Sequence, residues 1–214
     1  MGHGFVKTGE RVLHEGYVIT LATATFEGPA GEVMERDVVR HPGAVAVVAI
    51  DGEEVVLVRQ YRPVLDREML EIPAGKLDVE GEDRPTAARR ELVEEAGLYA
   101  HDLVELGRFH NSIGFCDEET TIYLSTDLGP ATAQAVSVEE RYLTVERVPL
   151  DDVESMIADG TITDAKTVIG LLQALTSIQE LTLTFVPKIM AVVIVFFLTL
   201  GYMTNVALNF FNNS

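Results

Sequence analysis

A single cysteine, Cys116, stands among 214 residues. That rules out an internal disulfide and fits a reducing compartment. Positive charge is also scarce: 16 Lys and Arg against 34 Asp and Glu leave a formal net charge of -18. Such a balance argues against a nucleic-acid backbone as partner, while solubility explains the acidity as well as a basic partner would. No run of charged, then apolar, then small residues opens the chain, so no secretory signal is expected. Internal repeats and low-complexity linkers are missing too. The length suits one domain of ordinary size with something added.

Charge of either sign is nearly missing from the last stretch. Beyond Leu175 only Glu180 and Lys188 are charged, and nothing charged follows Lys188. Ile189 to Leu208 (IMAVVIVFFLTLGYMTNVAL) is long enough to span a bilayer as a helix. A buried core helix is the alternative, but Phe196-Phe197 and apolar residues on every face disfavour a half-exposed one. Thr199, Gly201, Thr204 and Asn205 dilute the span. The shift in composition sets a boundary near residues 170–178. Three segments are expected: N-terminal strands over 1–42, a main domain over 43–175, and a hydrophobic tail over 176–214 with a possible transmembrane helix at 189–208.

The main part has an orderly plan. Gly16 to Phe26 and Glu32 to Arg40 hold short alternating stretches separated by Gly28-Pro29-Ala30-Gly31, a turn that joins antiparallel strands. Ala44 to Ile50, Asp51-Gly52 and Val55 to Tyr61 read as a hairpin of β-rich residues. Met69 to Pro73 is a further strand leading into Gly75. Leu103 to Phe109 and Glu119 to Asp127 read as strands separated by a loop at Asn111 to Glu118. Tyr142 to Val148 is another strand, and Leu150 to Asp159 and Asp164 to Leu175 are helices. Strands interleaved with helices give an α/β layered domain.

The chemistry concentrates between Gly75 and Leu98. Ala87 to Ala96 is built from strong helix formers, with Pro85 suited to the first turn and Gly97 to the position just past the end. Glu91 and Glu95, one turn apart, project from one face, and Glu94 can pair back to Arg90 at the same spacing. Ala88, Leu92 and Ala96 form the neighbouring apolar stripe that seats the helix on a sheet. Carboxylates this close repel unless something positive lies between them, and oxygen ligands suit Mg²⁺ or Mn²⁺. A solvated acidic helix face is the plain alternative. The glycines, Glu82 and Arg90 around the pair favour a metal site.

Gly75, Glu82 and the run Arg90-Glu91-Leu92-Val93-Glu94-Glu95-Ala96-Gly97-Leu98 resemble the signature of the Nudix hydrolases. One residue more than usual separates Gly75 from Glu82. Arg36, Gln60-Tyr61-Arg62, Glu71-Ile72-Pro73-Ala74-Gly75 and Gly114-Phe115-Cys116-Asp117-Glu118 extend the likeness to the ADP-ribose pyrophosphatase branch, over residues 10–172. The resemblance implies a Nudix-type α/β/α sandwich with a mixed β-sheet, N-terminal antiparallel strands and, from the tail, a C-terminal hydrophobic helix. It implies metal ligands at Glu91, Glu95 and the Ala74 carbonyl, and substrate contacts at Arg36, Arg62, Glu71, Gly114, Phe115 and Glu118. Catalytic roles fall to Arg90, to Glu94 and to a loop glutamate, Glu140 or its neighbour Glu139. It also implies a homodimer whose N-terminal strands exchange, residing in the cytoplasm.

The plain alternatives are local. Arg36 lies between Glu35 and Asp37, where a surface ion-pair cluster is as good a reading, and Arg62 precedes Pro63 at a strand end. Glu118, Glu119, Glu139 and Glu140 read equally as solvated acids. The loop Ser112-Ile113-Gly114 has isoleucine where the branch carries proline, which leaves other nucleoside diphosphate sugars, such as GDP-mannose, open as substrates.

The tail carries a second resemblance. Thr182-Leu183-Thr184-Phe185-Val186-Pro187-Lys188 and its surroundings look like the entry to the second membrane helix of the small export-gate subunit of flagellar and type III secretion systems. Half of that two-helix hairpin would not reproduce export. The expected activity is metal-assisted hydrolysis of a diphosphate linkage, with ADP-ribose giving AMP and ribose 5-phosphate. A catalytically silent nucleotide-binding module and a membrane export component with a soluble appendage remain as alternatives, and an enzyme tail-anchored in the inner membrane is the intermediate reading.

Overall fold

The computed structural model describes residues 4–132, 140–178, 190, 196 and 199. Glu139 and all but three residues of the expected span at 189–208 lie outside the described residues. No helix among the described residues is long and apolar enough to cross a membrane. The chain divides into two compact units, residues 1–172 and 173–214.

The first unit opens with an antiparallel three-stranded sheet, β1 (Val6–Glu15), β2 (Thr20–Glu27) and β3 (Val33–Arg40), in that order. Gly28 to Gly31 forms the β2–β3 turn as expected, with the Gly31 amide donating to the Gly28 carbonyl at 3.0 Å. The expected strand at Gly16 begins instead at Thr20, because the Gly16 amide closes a turn onto the Ile19 carbonyl at 2.8 Å. β1 itself carries no alternating apolar signal, since nine of its ten residues are exposed in the pattern eeeieeeeee.

A mixed sheet follows, running β12-β5-β4-β10-β9, with β6 paired to β5 and β7 to β4. Its strands are β4 (Ala44–Asp51), β5 (Glu54–Arg62), β6 (Arg67–Glu71), β7 (Ala74–Lys76), β9 (Val104–His110), β10 (Glu119–Ser125) and β12 (Thr144–Pro149). Only β4 and β10 run parallel. The expected hairpin forms, but β4 and β5 stay paired only from Ala49–Val56 to Asp51–Glu54. Beyond that they splay: β7 takes Ala44 to Ala46 of β4, and β6 takes Val58 to Arg62 of β5. The splay makes the gap into which the Gly75 turn is delivered. The strand expected over Met69 to Pro73 is β6, which starts two residues earlier and ends at Glu71; β7 beyond it was not expected. β10 ends at Ser125, short of the expected Asp127, where the Asp102 carboxylate accepts from Ser125 Oγ and from the Thr126 and Asp127 amides.

β4 is apolar on both faces, the pattern of a strand covered by helices on each side. Val45, Val47 and Ala49 pack on Ala87, Ala88 and Leu92 of helix α1 (Arg84–Ala96). Val48 points the other way, toward Gly170 in the helix spanning 165–178, called α3 here; a Cβ on Gly170 would stand 3.0 Å from Val48 and 3.1 Å from Ile72. The layers are helix, sheet, helix. Helix α2 (Leu150–Ala158) follows β12, with Asp151 and Asp152 at its positive end. A small antiparallel pair, β8 (Leu98–Ala100) and β11 (Leu128–Pro130), completes the unit.

Candidate active site

α1 starts at Arg84, with Pro85 in the first turn as expected, and the Asp83 carboxylate caps it by accepting from the Thr86 amide at 2.8 Å. It stops at Gly97, left-handed at φ 64°, whose amide turns back to Val93. With both ends fixed and the Ala87, Ala88 and Leu92 face buried, the remaining face meets the Gly75 turn. A Cβ on Gly75 would lie 1.9 Å from the Glu91 carboxyl carbon, so only glycine lets that carboxylate occupy its place. The Ala74 amide donates to Glu95 Oε2 at 2.9 Å. Ala74, Gly75, Glu91 and Glu95 therefore come together.

The electrostatics of this pair are unusual. Burial pushes Glu95 up to about 8, although the Ala74 N–H opposes it. Burial likewise pushes Glu91 to about 7, with Arg90 working the other way. Two carboxylates are thus desolvated beside the Ala74 amide, and burial outweighs the positive charge around them. Their oxygen chemistry fits a hard divalent cation, and the Gly75 cradle leaves their carboxylates facing the turn. Among the described residues no group of three His, Cys, Asp or Glu side chains gathers as a ligand set; the candidate set is two carboxylates and one backbone carbonyl.

Arg90 organises the flank. Its Nε and Nη2 bind Glu82, the latter at 2.9 Å, while Nη1 donates to Glu91 at 2.6 Å and to Glu94 at 3.1 Å. The Glu82 contact, the strongest of these influences, holds the guanidinium firmly charged. The additional residue before Glu82 is absorbed in a turn in which the Glu82 amide reaches Val79 and Gly81 takes φ 79°, and Glu82 still meets Arg90. A cleft of about 500 Å³ lies along the flank of α1, bordered by Arg89, Arg90, Val93, Glu94 and Tyr99.

The substrate candidates are placed unevenly. Arg62 Nε and Nη2 each donate to Glu71 at 2.6 Å. Glu71 is only 1 % exposed, so its carboxylate faces Arg62 and Lys166 rather than open space. The 111–118 loop is latched to β3: the Val39 amide donates to the Phe115 carbonyl at 2.7 Å and the Asp117 amide to the Val39 carbonyl at 3.1 Å. Arg40 ties Asp117 to Glu10. On that loop Phe115 and Gly114 are exposed, and Glu118 lies 4.0 Å from His41 Nδ1. Arg36 is exposed on β3, opposite Ala24, and its only hydrogen bond among the described residues is to the Glu35 carbonyl at 2.7 Å. Its side chain makes no hydrogen bond or ion pair with Glu91 or Glu95 among the described residues. Glu140 opens a helical turn over Glu140–Tyr142.

Lys166 escaped the sequence reading. It contacts Glu71 and, at 2.9 Å, Asp164. A signal existed: a lysine in the first turn of a helix opposes the helix dipole and needs an anion to hold it there.

The helix–sheet–helix layering and the glycine-cradled acidic helix define a hydrolase of diphosphate linkages. Residues 39–169 match the NUDIX domain family, and the chain belongs to the Nudix hydrolases. It is 37 % identical to the ADP-ribose pyrophosphatase of Bacillus subtilis, over 72 % of this chain and 84 % of that one. It is 39 % identical to the methanol dehydrogenase activator of Bacillus methanolicus, over 74 % and 86 %. Against the ADP-ribose pyrophosphatase of Mycobacterium tuberculosis the identity is 34 %, over 79 % and 83 %. A crystal structure of an ADP compounds hydrolase superposes with a TM-score of 0.73 at 22 % identity, covering 82 % of this chain and 95 % of that one. Residues 166–212 match bacterial export proteins, family 3, overlapping the NUDIX match at 166–169.

Proposed function

We propose that the protein hydrolyses a nucleoside diphosphate sugar, with ADP-ribose and water giving AMP and ribose 5-phosphate. The observation that carries this reading is the desolvated carboxylate pair, Glu91 against Gly75 and Glu95 on the Ala74 amide. Relatives called ADP-ribose pyrophosphatase, at 34 % and 37 % identity, support the choice of sugar nucleotide.

Glu91, Glu95 and the Ala74 carbonyl would hold Mg²⁺, or Mn²⁺ in its place. Once bound, such a cation neutralises diphosphate oxygens and lowers the pKa of a water. Gly75 and the Ala74 amide fix the two carboxylates, and Arg90 fixes Glu82 and Glu94 around them. Arg62 grips the substrate through the part of its guanidinium not engaged by Glu71, a planar fork suited to phosphate oxygens. Glu140 takes the proton of the attacking water as general base, with Glu94 and Glu139 the neighbouring candidates. Glu118 and the Gly114-Phe115 edge contact the nucleotide sugar. Arg36, which bonds neither Glu91 nor Glu95 among the described residues, serves the site of a second copy in a homodimer; exposed Val6, Val12 and Leu13 on β1 support such pairing. We place residues 1–175 in the cytoplasm. A membrane anchor at 189–208 rests on the composition of the tail alone.

A specific observation keeps a second substrate in view. Ile113, 85 % exposed, stands where the ADP-ribose branch carries proline, and a GDP-mannose pyrophosphatase of Cronobacter sakazakii is 28 % identical. AMP release from ADP-ribose with Mg²⁺, run beside GDP-mannose and dinucleoside polyphosphates, tests the assignment. ADP-ribose turned over fastest is expected; no release from any diphosphate would defeat it.

A further inference from the structure

A chain of buried polar contacts ties the start of α3 to the strand that leads into the site. The Ile72 amide donates to Thr167 Oγ1 at 3.0 Å, and that hydroxyl donates to Asp164 Oδ2 at 2.6 Å. Asp164 also caps the helix by accepting from the Thr167 amide at 3.0 Å. Lys166 Nζ lies between Asp164 and Glu71, and Glu71 in turn chelates Arg62. Glu71 is thus held from two sides, by an arginine and by a lysine that no sequence motif had marked.

The exposures along this relay differ in a way that suggests its purpose. The Glu71 side chain is 2 % exposed, that of Lys166 15 % and that of Arg62 40 %. Buried ions anchor a cation that reaches open space. Arg62 uses Nε and Nη2 on Glu71, and Nη1 has no partner among the described residues. Lys166 Nζ contacts Glu71 Oε2, the oxygen that also accepts from Arg62 Nη2, and so holds the plane of the carboxylate on which the guanidinium lies. Lys166 sits where the helix dipole opposes it, so packing alone does not explain its place. Neither Glu71 nor Lys166 needs to touch a ligand for this to work.

The geometry points to Lys166 as a positioning residue: through Glu71 it orients Arg62 so that the free edge of the guanidinium meets the substrate diphosphate. This rests on the proposed hydrolysis, and on Arg62 as the residue that grips the substrate. Turnover by the unmodified chain tests that activity by itself.

The test uses the full chain with ADP-ribose and Mg²⁺. Lys166→Met is expected to raise KM about tenfold with kcat nearly unchanged, the pattern of lost uniform binding. Mn²⁺ affinity, measured by electron paramagnetic resonance without substrate, stays as in the unmodified protein. Arg62→Ala raises KM similarly, and the double variant is no worse than Arg62→Ala, because residues acting through one another are not additive. Lys166→Arg, which keeps the charge, recovers most of the affinity. Should Lys166→Met fail to fold by circular dichroism, Lys166→Arg carries the test, with a small KM rise that vanishes in the Arg62→Ala background. An unchanged KM, or KM effects that multiply in the double variant, overturns the proposal while leaving the activity standing.

Discussion

Two sets of acids adjoin the segment Glu71 to Gly75 and are shifted in opposite directions, although Arg62 and Lys166 act on Glu95 as well as on Glu71. At Glu71, burial alone would raise the carboxyl, but Arg62 and Lys166 outweigh it and hold it at about 2. At Glu91 and Glu95, burial prevails and the carboxyls stand at about 7 and about 8. One cluster is complete from its own side chains. At the other, Arg90 on Glu91 and Arg62 and Lys166 on Glu95 offset burial only in part, and the same strand connection presents both. The difference teaches which acids build the site and which await a ligand.

The largest expected effect comes from removing one ligand carboxylate. Glu95→Gln should cut turnover roughly a thousandfold, the several kcal/mol that a metal-held charge supplies, whereas Glu71→Gln should act chiefly on KM. Steady-state kinetics of both separate the clusters; equal losses of kcat would erase the distinction. Gly75→Ala is next. The new methyl meets the mobile end of Glu91 rather than backbone, so the fold should survive, but a carboxylate displaced by about 1 Å should cost on the order of a hundredfold in kcat. A normal melting temperature with kcat unchanged would show that Glu91 has room elsewhere.

Smaller effects appear in pH dependence. Glu91 and Glu95 have folded-state pKa values above the ordinary 4.5, so the native state binds more protons than the unfolded one across the interval to about 8. Their contribution to stability is present below 4.5 and is lost as pH rises through about 7 and 8. Glu71 has the opposite sign: its contribution is present above 4.5 and is lost as pH falls through about 2. Metal-free melting curves should therefore decline toward pH 8, and Mg²⁺, which favours the ionised pair, should remove the decline. A curve rising through that window would contradict the raised pKa values. Truncation after Ile178 should change kcat least, within about twofold, since substitutions away from the site act little; a large loss would make the tail part of the catalytic unit.

Much of this was legible in residue order, and the failures have physical causes. α1 and its apolar stripe were readable because proline, alanines and closing glycine agree; the Asp83 cap was not marked. The β4–β5 hairpin was readable from its two apolar runs. β1 was not, because an exposed strand has no apolar alternation to betray it. β7 escaped because three residues around a glycine carry no strand pattern, and it forms only by pairing with Ala44 to Ala46 of β4. Around the site, Glu91, Glu95, Gly75 and Arg90 were legible from spacing within one helix and one turn. Lys166 was not, since its partner Glu71 is 95 residues away in sequence and only the folded layers bring them together. The tail showed its composition and its resemblance to an export subunit, which the match over residues 166–212 supports in part.

The central claim is that Glu91 and Glu95, rather than the saturated Glu71 cluster, take the divalent cation. Titrating Mn²⁺ into the metal-free protein by electron paramagnetic resonance tests it most directly. Binding should be present in the unmodified chain, lost in Glu91→Gln and Glu95→Gln, and kept in Glu71→Gln. Binding that survives Glu95→Gln, or disappears with Glu71→Gln alone, would contradict the account.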